Sequence, residues 1–201
     1  MLEQGFFYRP EIMTLVWVAI FISDWLMNYN GAKLYYRQAR QFLIFEKGDN
    51  LRPISMEELN NVKMLFARFF SELVITTQGI WLLLYNCKLY SSRDSYEFFC
   101  GFFILLEACV HFRHMGNVAL FSSATKGSGI KGSVSIPRWI MLRAAAVDYA
   151  LFSISFLLIY LVNNNSFVLG GCISCIIVSA TILIFAMFEK IEFFSLAKSA
   201  S

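Results

Sequence analysis

The sequence predicts an all-α fold, a polytopic bundle of about five transmembrane helices with its N-terminus outside and its C-terminus in the cytoplasm. Three observations lead to that expectation. Hydrophobic residues make up 58% of the 201-residue chain, charged residues only 15%, and the mean hydropathy is positive; soluble chains carry nearer a quarter charged residues. The apolar residues are concentrated in windows at about 12–29, 69–87, 96–121, 139–162 and 167–188, each near the ~20 residues a helix needs to cross roughly 30 Å of hydrocarbon. Lysine and arginine are also unevenly divided between alternate loops, which sets orientation.

The windows follow one another with recognisable punctuation. Residues 1–11 form an aromatic-rich lead ending in Arg9, Pro10 and Glu11, where proline suits a first helical turn. The first span ends at Asn30 and Gly31, a plausible helix stop. Asp24, Asn28 and Asn30 stand where a signal peptide would need a small-residue cleavage site, so this span is read as retained. Residues 31–66 make a cytoplasmic amphipathic loop, in which Lys33, Arg37 and Arg40 alternate with Leu34, Tyr35, Phe42, Leu43 and Phe45. Its first part either lies on the membrane surface or extends the first helix. Lys47, Gly48, Asp49 and Asn50 read as a turn. Ser55 and Glu58 have capping-box spacing and are expected to open a long helix through Asn61 and Lys63 into the second span. Short polar loops follow at 88–95 and 122–136. The last connection, Asn163 to Ser166, predicts a tight antiparallel hairpin. The whole chain, 1–201, reads as one transmembrane domain without internal repeats.

The orientation rests on where the cations fall. Arg9, Lys88 and Arg93 occupy one set of loops; Lys33, Arg37, Arg40, Lys47, Arg52, Lys63, Lys126, Lys131, Arg138, Lys190 and Lys198 occupy the other. Eleven against three places the second set in the cytoplasm. The net charge of +3, without a basic block interleaved with aromatics, argues against nucleic acid as a partner. Cys87, Cys100, Cys109, Cys172 and Cys175 all lie in or beside spans and are expected to pack as reduced thiols. Cys172 and Cys175 have redox-motif spacing without the βαβ setting that such a motif requires.

The candidate functional residues are polar groups inside the spans, where an ionisable side chain costs about 2.5–3.5 kcal/mol at the helix centre. Glu107, His111 and His114 are spaced by four and three residues, which puts them within roughly a 60° arc of one helix face. One carboxylate and two imidazoles on a stripe suit a divalent transition metal, or a proton relay, since histidine titrates near neutral pH. Asp24, Glu72, Arg113, Asn117, Arg143 and Asp148 complete a polar cluster. At ~1.5 Å per residue, its ionisable members and both histidines are expected within about 15 Å of the cytoplasmic boundary, with only Glu107 deeper. The blander alternative is a structural network: Arg68 and Glu72 are an intrahelical pair by spacing, and arginines near span ends snorkel. Gly171, Cys175 and Ser179 form a small-residue stripe suited to close helix contact within the fold or in a homo-oligomer.

Glu107, Cys109, His111, Arg113, His114 and Asn117, followed by Gly129, Gly132, Pro137, Arg138 and Trp139, and by Gly170, Gly171 and Cys172 in the last span, resemble a group of small multi-span prokaryotic membrane proteins. Asp49 to Pro53 departs from the acidic-Asn-Pro loop of that group. The resemblance implies a bacterial or archaeal inner membrane and carries no activity or residue role with it. Three functions are compatible with these readings. They are ion or proton transport through the polar cluster, intramembrane metal-dependent catalysis with Glu107, His111 and His114 as ligands, and a non-catalytic accessory role in which charges hold helices together. No phosphate loop, zinc-protease motif or nucleophile elbow is present.

Overall fold

The structure is a computed structural model that describes residues 8–45, 54–126 and 132–199, with side chains at all of these except 62 and 192–199. Residues 1–7 of the lead, the turn at 47–50, the stretch from Asp49 to Pro53, and Gly129 to Lys131 lie outside the described residues. Six α-helices are described: α1 (Pro10–Arg37), α2 (Met56–Asn60), α3 (Val62–Tyr90), α4 (Arg93–Thr125), α5 (Arg138–Asn163) and α6 (Ser166–Ser199). A 3₁₀ turn at Ala39–Gln41 and two three-residue strands, β1 (Leu43–Phe45) and β2 (Val134–Ile136), complete the chain. Among the described residues, four helices are long and apolar enough to cross a membrane: α1, α4, α5 and α6. The fifth window lies in α3, which has the length, at 29 residues. Glu72, Thr76, Thr77, Gln78 and Asn86 dilute its apolar character.

Several boundaries differ from the sequence reading, each for a local reason. Gly31 does not stop α1. The helix runs on to Arg37, and Gly31 instead lets α4 approach, with Val118 Cγ2 lying 3.3 Å from where a Cβ would stand. The Ser55 capping box is present in both directions, with Glu58 N–H donating to Ser55 Oγ (3.1 Å) and Ser55 N–H to Glu58 Oε2 (2.7 Å). It opens only a five-residue helix. Asn61 leaves helical geometry (φ −110°, ψ 83°) and starts α3 afresh, its Oδ1 accepting from Met64 N–H. The two loops expected at 31–66 and 122–136 contribute β1 and β2, which pair in parallel with Leu43 opposite Val134 and Phe45 opposite Ile136. Three residues are too few to show an alternating pattern, and their pairing comes from tertiary context. At the other junctions, Ser92 caps α4 through Ser95 N–H. Asn164 takes the left-handed conformation (φ 48°) that ends α5 before α6 turns back.

The long α4 is the central element. One side of it, with Tyr96, Cys100 and Ile104, shares a core with Met13, Trp17 and Phe21 of α1 and Phe69, Ile80, Leu84 and Cys87 of α3. Further along, Cys109 joins a second core with Leu142, Ala145, Ala146 and Tyr149 of α5 and Cys175, Ile182 and Ala186 of α6. Glycine makes the α4–α6 crossing possible: a Cβ on Gly101 would fall on the Phe167 carbonyl, and one on Gly170 on the Phe98 carbonyl. The Gly171, Cys175 and Ser179 stripe is spent inside this protomer. Gly171 faces Leu105, Cys175 Sγ lies 3.8 Å from Cys109 Sγ, and Ser179 Oγ donates to the Ala146 carbonyl at 2.8 Å. All five cysteines are buried free thiols.

Candidate functional site

Two facing stripes build the site. On α1 the buried positions include Met13, Trp17, Phe21, Asp24, Asn28 and Tyr35; on α4 they include Tyr96, Cys100, Ile104, Glu107, His114 and Phe121. Both recur at steps near three and four residues, the signature of one helix face laid against another. Apolar residues occupy the upper part of each stripe. In the lower part the stripes turn polar at the same level, so Asp24 meets His114 across the α1–α4 contact.

The meeting is close. Asp24 Oδ1 lies 2.6 Å from His114 Nδ1, and the two residues are only 2% and 4% exposed. A carboxylate can only accept, so with Asp24 ionised His114 Nδ1 carries the proton in this bond. Charge-assisted bonds of this kind are roughly twice as strong as neutral ones, which offsets part of the cost of burying the carboxylate. His111, one turn earlier on α4, points Nδ1 at the same Asp24 oxygen from 4.0 Å. That nitrogen makes no hydrogen bond, and its side chain is 19% exposed. One carboxylate oxygen thus faces two imidazoles, one bonded and one standing off. Glu107 is buried a further turn along the same stripe.

Behind Asp24 a small cavity of ≈ 10 Å³ is lined by Asp24, Trp25, Asn28, Arg68 and Glu72, room for about one water. Arg68 and Glu72 form the intrahelical pair expected from their spacing (Nε–Oε1 3.0 Å). Arg68 also reaches Glu58 of α2, Nη1 to Oε1, at 2.8 Å. Burial alone would raise the Glu58 pKa. The hydrogen bonds from the Ser55 backbone, Arg68 and the Ser55 hydroxyl outweigh it and hold the carboxyl below the usual glutamate range. Arg68 and Glu72 are each about a third exposed (35% and 34%), so the cavity stands between the solvent-accessible ion pairs and the buried Asp24.

The remaining sequence candidates lie elsewhere. Arg113 is turned away from His111 and His114 and faces Asp148 of α5, with Nε 3.9 Å from Oδ2. Together with Asn117 these two line a separate cleft. Arg143 stacks over the Trp139 ring at 5.3 Å, and Lys190 sits 5.6 Å from the same ring. Among the described residues, no three or more His, Cys, Asp or Glu side chains are arranged to hold a metal ion. The metal set expected from spacing, Glu107, His111 and His114, is therefore not assembled there, because both histidines direct Nδ1 at Asp24. Sequence reasoning missed Asn28, Glu58 and Arg68 as members of the site. Asn28 was detectable, standing four residues after Asp24 on the same face. The Arg68–Glu58 contact joins two helices and has no local signature. Comparison with protein-family models, curated proteins and solved structures finds no match for the chain.

Proposed function

We propose that this chain is an integral membrane protein of five spans, with α3 as the fifth, and that Asp24, His114 and His111 relay protons through it. The observation that carries the reading is the single Asp24 oxygen facing two imidazoles, 2.6 Å and 4.0 Å away, between helices apolar enough to lie in a bilayer. Intramembrane ionisable groups that face one another mark proton and ion pathways more often than chance.

The order of the groups supports a path. A proton enters past Glu72 and Arg68, crosses the one-water cavity and reaches Asp24. Asp24 takes it up on its carboxylate, while His114 keeps its Nδ1–H hydrogen-bonded to the same group. Transfer onward needs the His111 ring to close its 4.0 Å gap to hydrogen-bond distance, near 2.8 Å, which a side-chain movement accomplishes. An imidazole can accept a proton on one nitrogen and release it from the other, and Glu107 is the next titratable group along α4. The lysine and arginine asymmetry supports an orientation with Asp24, His111 and His114 toward the cytoplasm.

The test is proton selectivity in sealed vesicles. Purified protein is reconstituted with a trapped pH indicator, and a potassium diffusion potential drives inward positive current. Acidification well above that of protein-free vesicles, unaffected by exchanging sodium for a larger cation, supports the relay. Acidification equal to that of protein-free vesicles contradicts it.

A further inference from the structure

One end of the α1–α3 groove is covered by a separate small element, the five-residue α2. Leu59 of α2, and Ile54 just before it, dock on a core shared with Ala32 of α1 and Leu65 of α3. Trp25 and Tyr29 of α1 pack against the same core. Trp25 also lines the one-water cavity behind Asp24, so α2 and that cavity share a wall. The outer side of α2, with Met56, Glu57 and Asn60, is exposed.

An ion pair ties α2 to the cavity. Arg68 lines the cavity and reaches Glu58 of α2, Nη1 to Oε1, at 2.8 Å, while its Nε stays on Glu72 at 3.0 Å. The other Glu58 oxygen accepts from Ser55 N–H at 2.7 Å. One carboxylate therefore completes the α2 cap and fastens α2 to α3. A helix of five residues is too short to stand without such contacts. Asn61, at φ −110° and ψ 83°, separates α2 from α3. Rotation at an element-terminal position of this kind moves one element and leaves its neighbour in place.

We propose that α2 is a lid on the proton entry, hinged at Asn61 and latched by the Glu58–Arg68 ion pair. Closed, it holds Arg68 beside Asp24 and leaves room for about one water. Open, it withdraws Ile54 and Leu59 from the groove and lets Arg68 turn outward with Glu72, so that water reaches Asp24. Opening breaks one charge-assisted contact and undocks two apolar side chains, a local event far smaller than unfolding the bundle. The gating role rests on the relay proposed above; the lid rests on the contacts of α2.

The experiment reads lid opening and proton flux separately, with the full chain in sealed vesicles. Asn28→Cys places a thiol in the cavity wall, and a small water-soluble methanethiosulfonate measures how readily water reaches it. The native thiols, all buried, give the background. Glu58→Gln removes the charge from the latch, and Ser55→Ala removes the cap that holds Glu58 in place. Each should raise the labelling rate at position 28 by at least about fivefold. Each should also raise potential-driven proton flux by at least about threefold. Flux is measured with Asn28 intact, so that arm stands whether or not the cysteine variant folds. Labelling that does not rise in either folded variant overturns the lid, and flux that stays at the wild-type level overturns its role as a gate. Faster labelling in a protein whose wild type conducts no protons keeps the lid and sinks the relay instead.

Discussion

Asp24 of α1 and His114 of α4, ninety residues apart in the chain, share a 2.6 Å hydrogen bond in a part of the protein almost closed to solvent. The bond does two things. It ties the first helix to the central one at the level where their facing stripes turn polar. It also sets a titratable pair 4.0 Å from a second imidazole, that of His111.

The structural half of that role predicts strong coupling. His114→Ala leaves Asp24 buried without its partner and should cost about 3–5 kcal/mol. Asp24→Ala with His114→Ala should cost less than the two single losses added together, by about 1–3 kcal/mol. Thermal unfolding of the four proteins in detergent measures the cycle, and strictly additive losses would show that the pair is not coupled.

The functional half predicts a different pattern at His111. Its Nδ1 makes no hydrogen bond in this arrangement, so His111→Phe should change stability by less than about 1 kcal/mol. Proton flux in vesicles should nonetheless fall by at least about tenfold, within the range ascribed to a positioned acid–base group. Unchanged flux would remove His111 from the path.

Helix contact at the glycines is equally specific. Gly101→Ala and Gly170→Ala each force a methyl group onto the backbone of the facing helix and should destabilise by about 1–3 kcal/mol or more. Gly79→Ala meets open space and should be neutral or stabilising by up to about 1 kcal/mol. Unfolding in detergent compares the three directly.

The α2 cap should respond to acid. Glu58 is held below the ordinary glutamate value by the Ser55 and Arg68 hydrogen bonds, so the folded state binds fewer protons there than the unfolded one. Its contribution is complete above the ordinary glutamate pKa of about 4.3 and fades as pH falls through the depressed folded value. Hydrogen exchange at the Glu58 and Leu59 amides should lose protection across that range. Ser55→Ala should weaken the cap by about 1 kcal/mol.

How far the sequence carries this picture depends on the range of the interaction involved. All five apolar windows fall inside long helices, because hydropathy over some 20 residues is a local property. The capping box at Ser55 and the Arg68–Glu72 pair were equally visible, being contacts between residues three and four apart. The Glu107, His111 and His114 stripe was legible as a face, but its partner was not: only the α1–α4 contact shows that Asp24 bonds His114 and faces His111. The same limit explains the expected single cluster. Arg113 and Asn117 are near the histidines in sequence yet point to the other side of α4, toward Asp148. Gly31 reads as a stop signal because its close approach to Val118 involves residues far apart in the chain. The β1–β2 ladder was hidden for the same reason.

The most direct test of the relay isolates the Asp24 carboxylate without removing its hydrogen bond. Asn at position 24 still presents an oxygen to His114 Nδ1 but cannot take up a proton. Potential-driven proton flux is measured for wild type and Asp24→Asn at matched incorporation in the same vesicles. A relay through Asp24 requires the variant to lose at least about tenfold in flux while remaining folded in the bilayer. A folded Asp24→Asn protein that conducts protons like wild type would contradict it and leave the Asp24–His114 bond as a helix clamp.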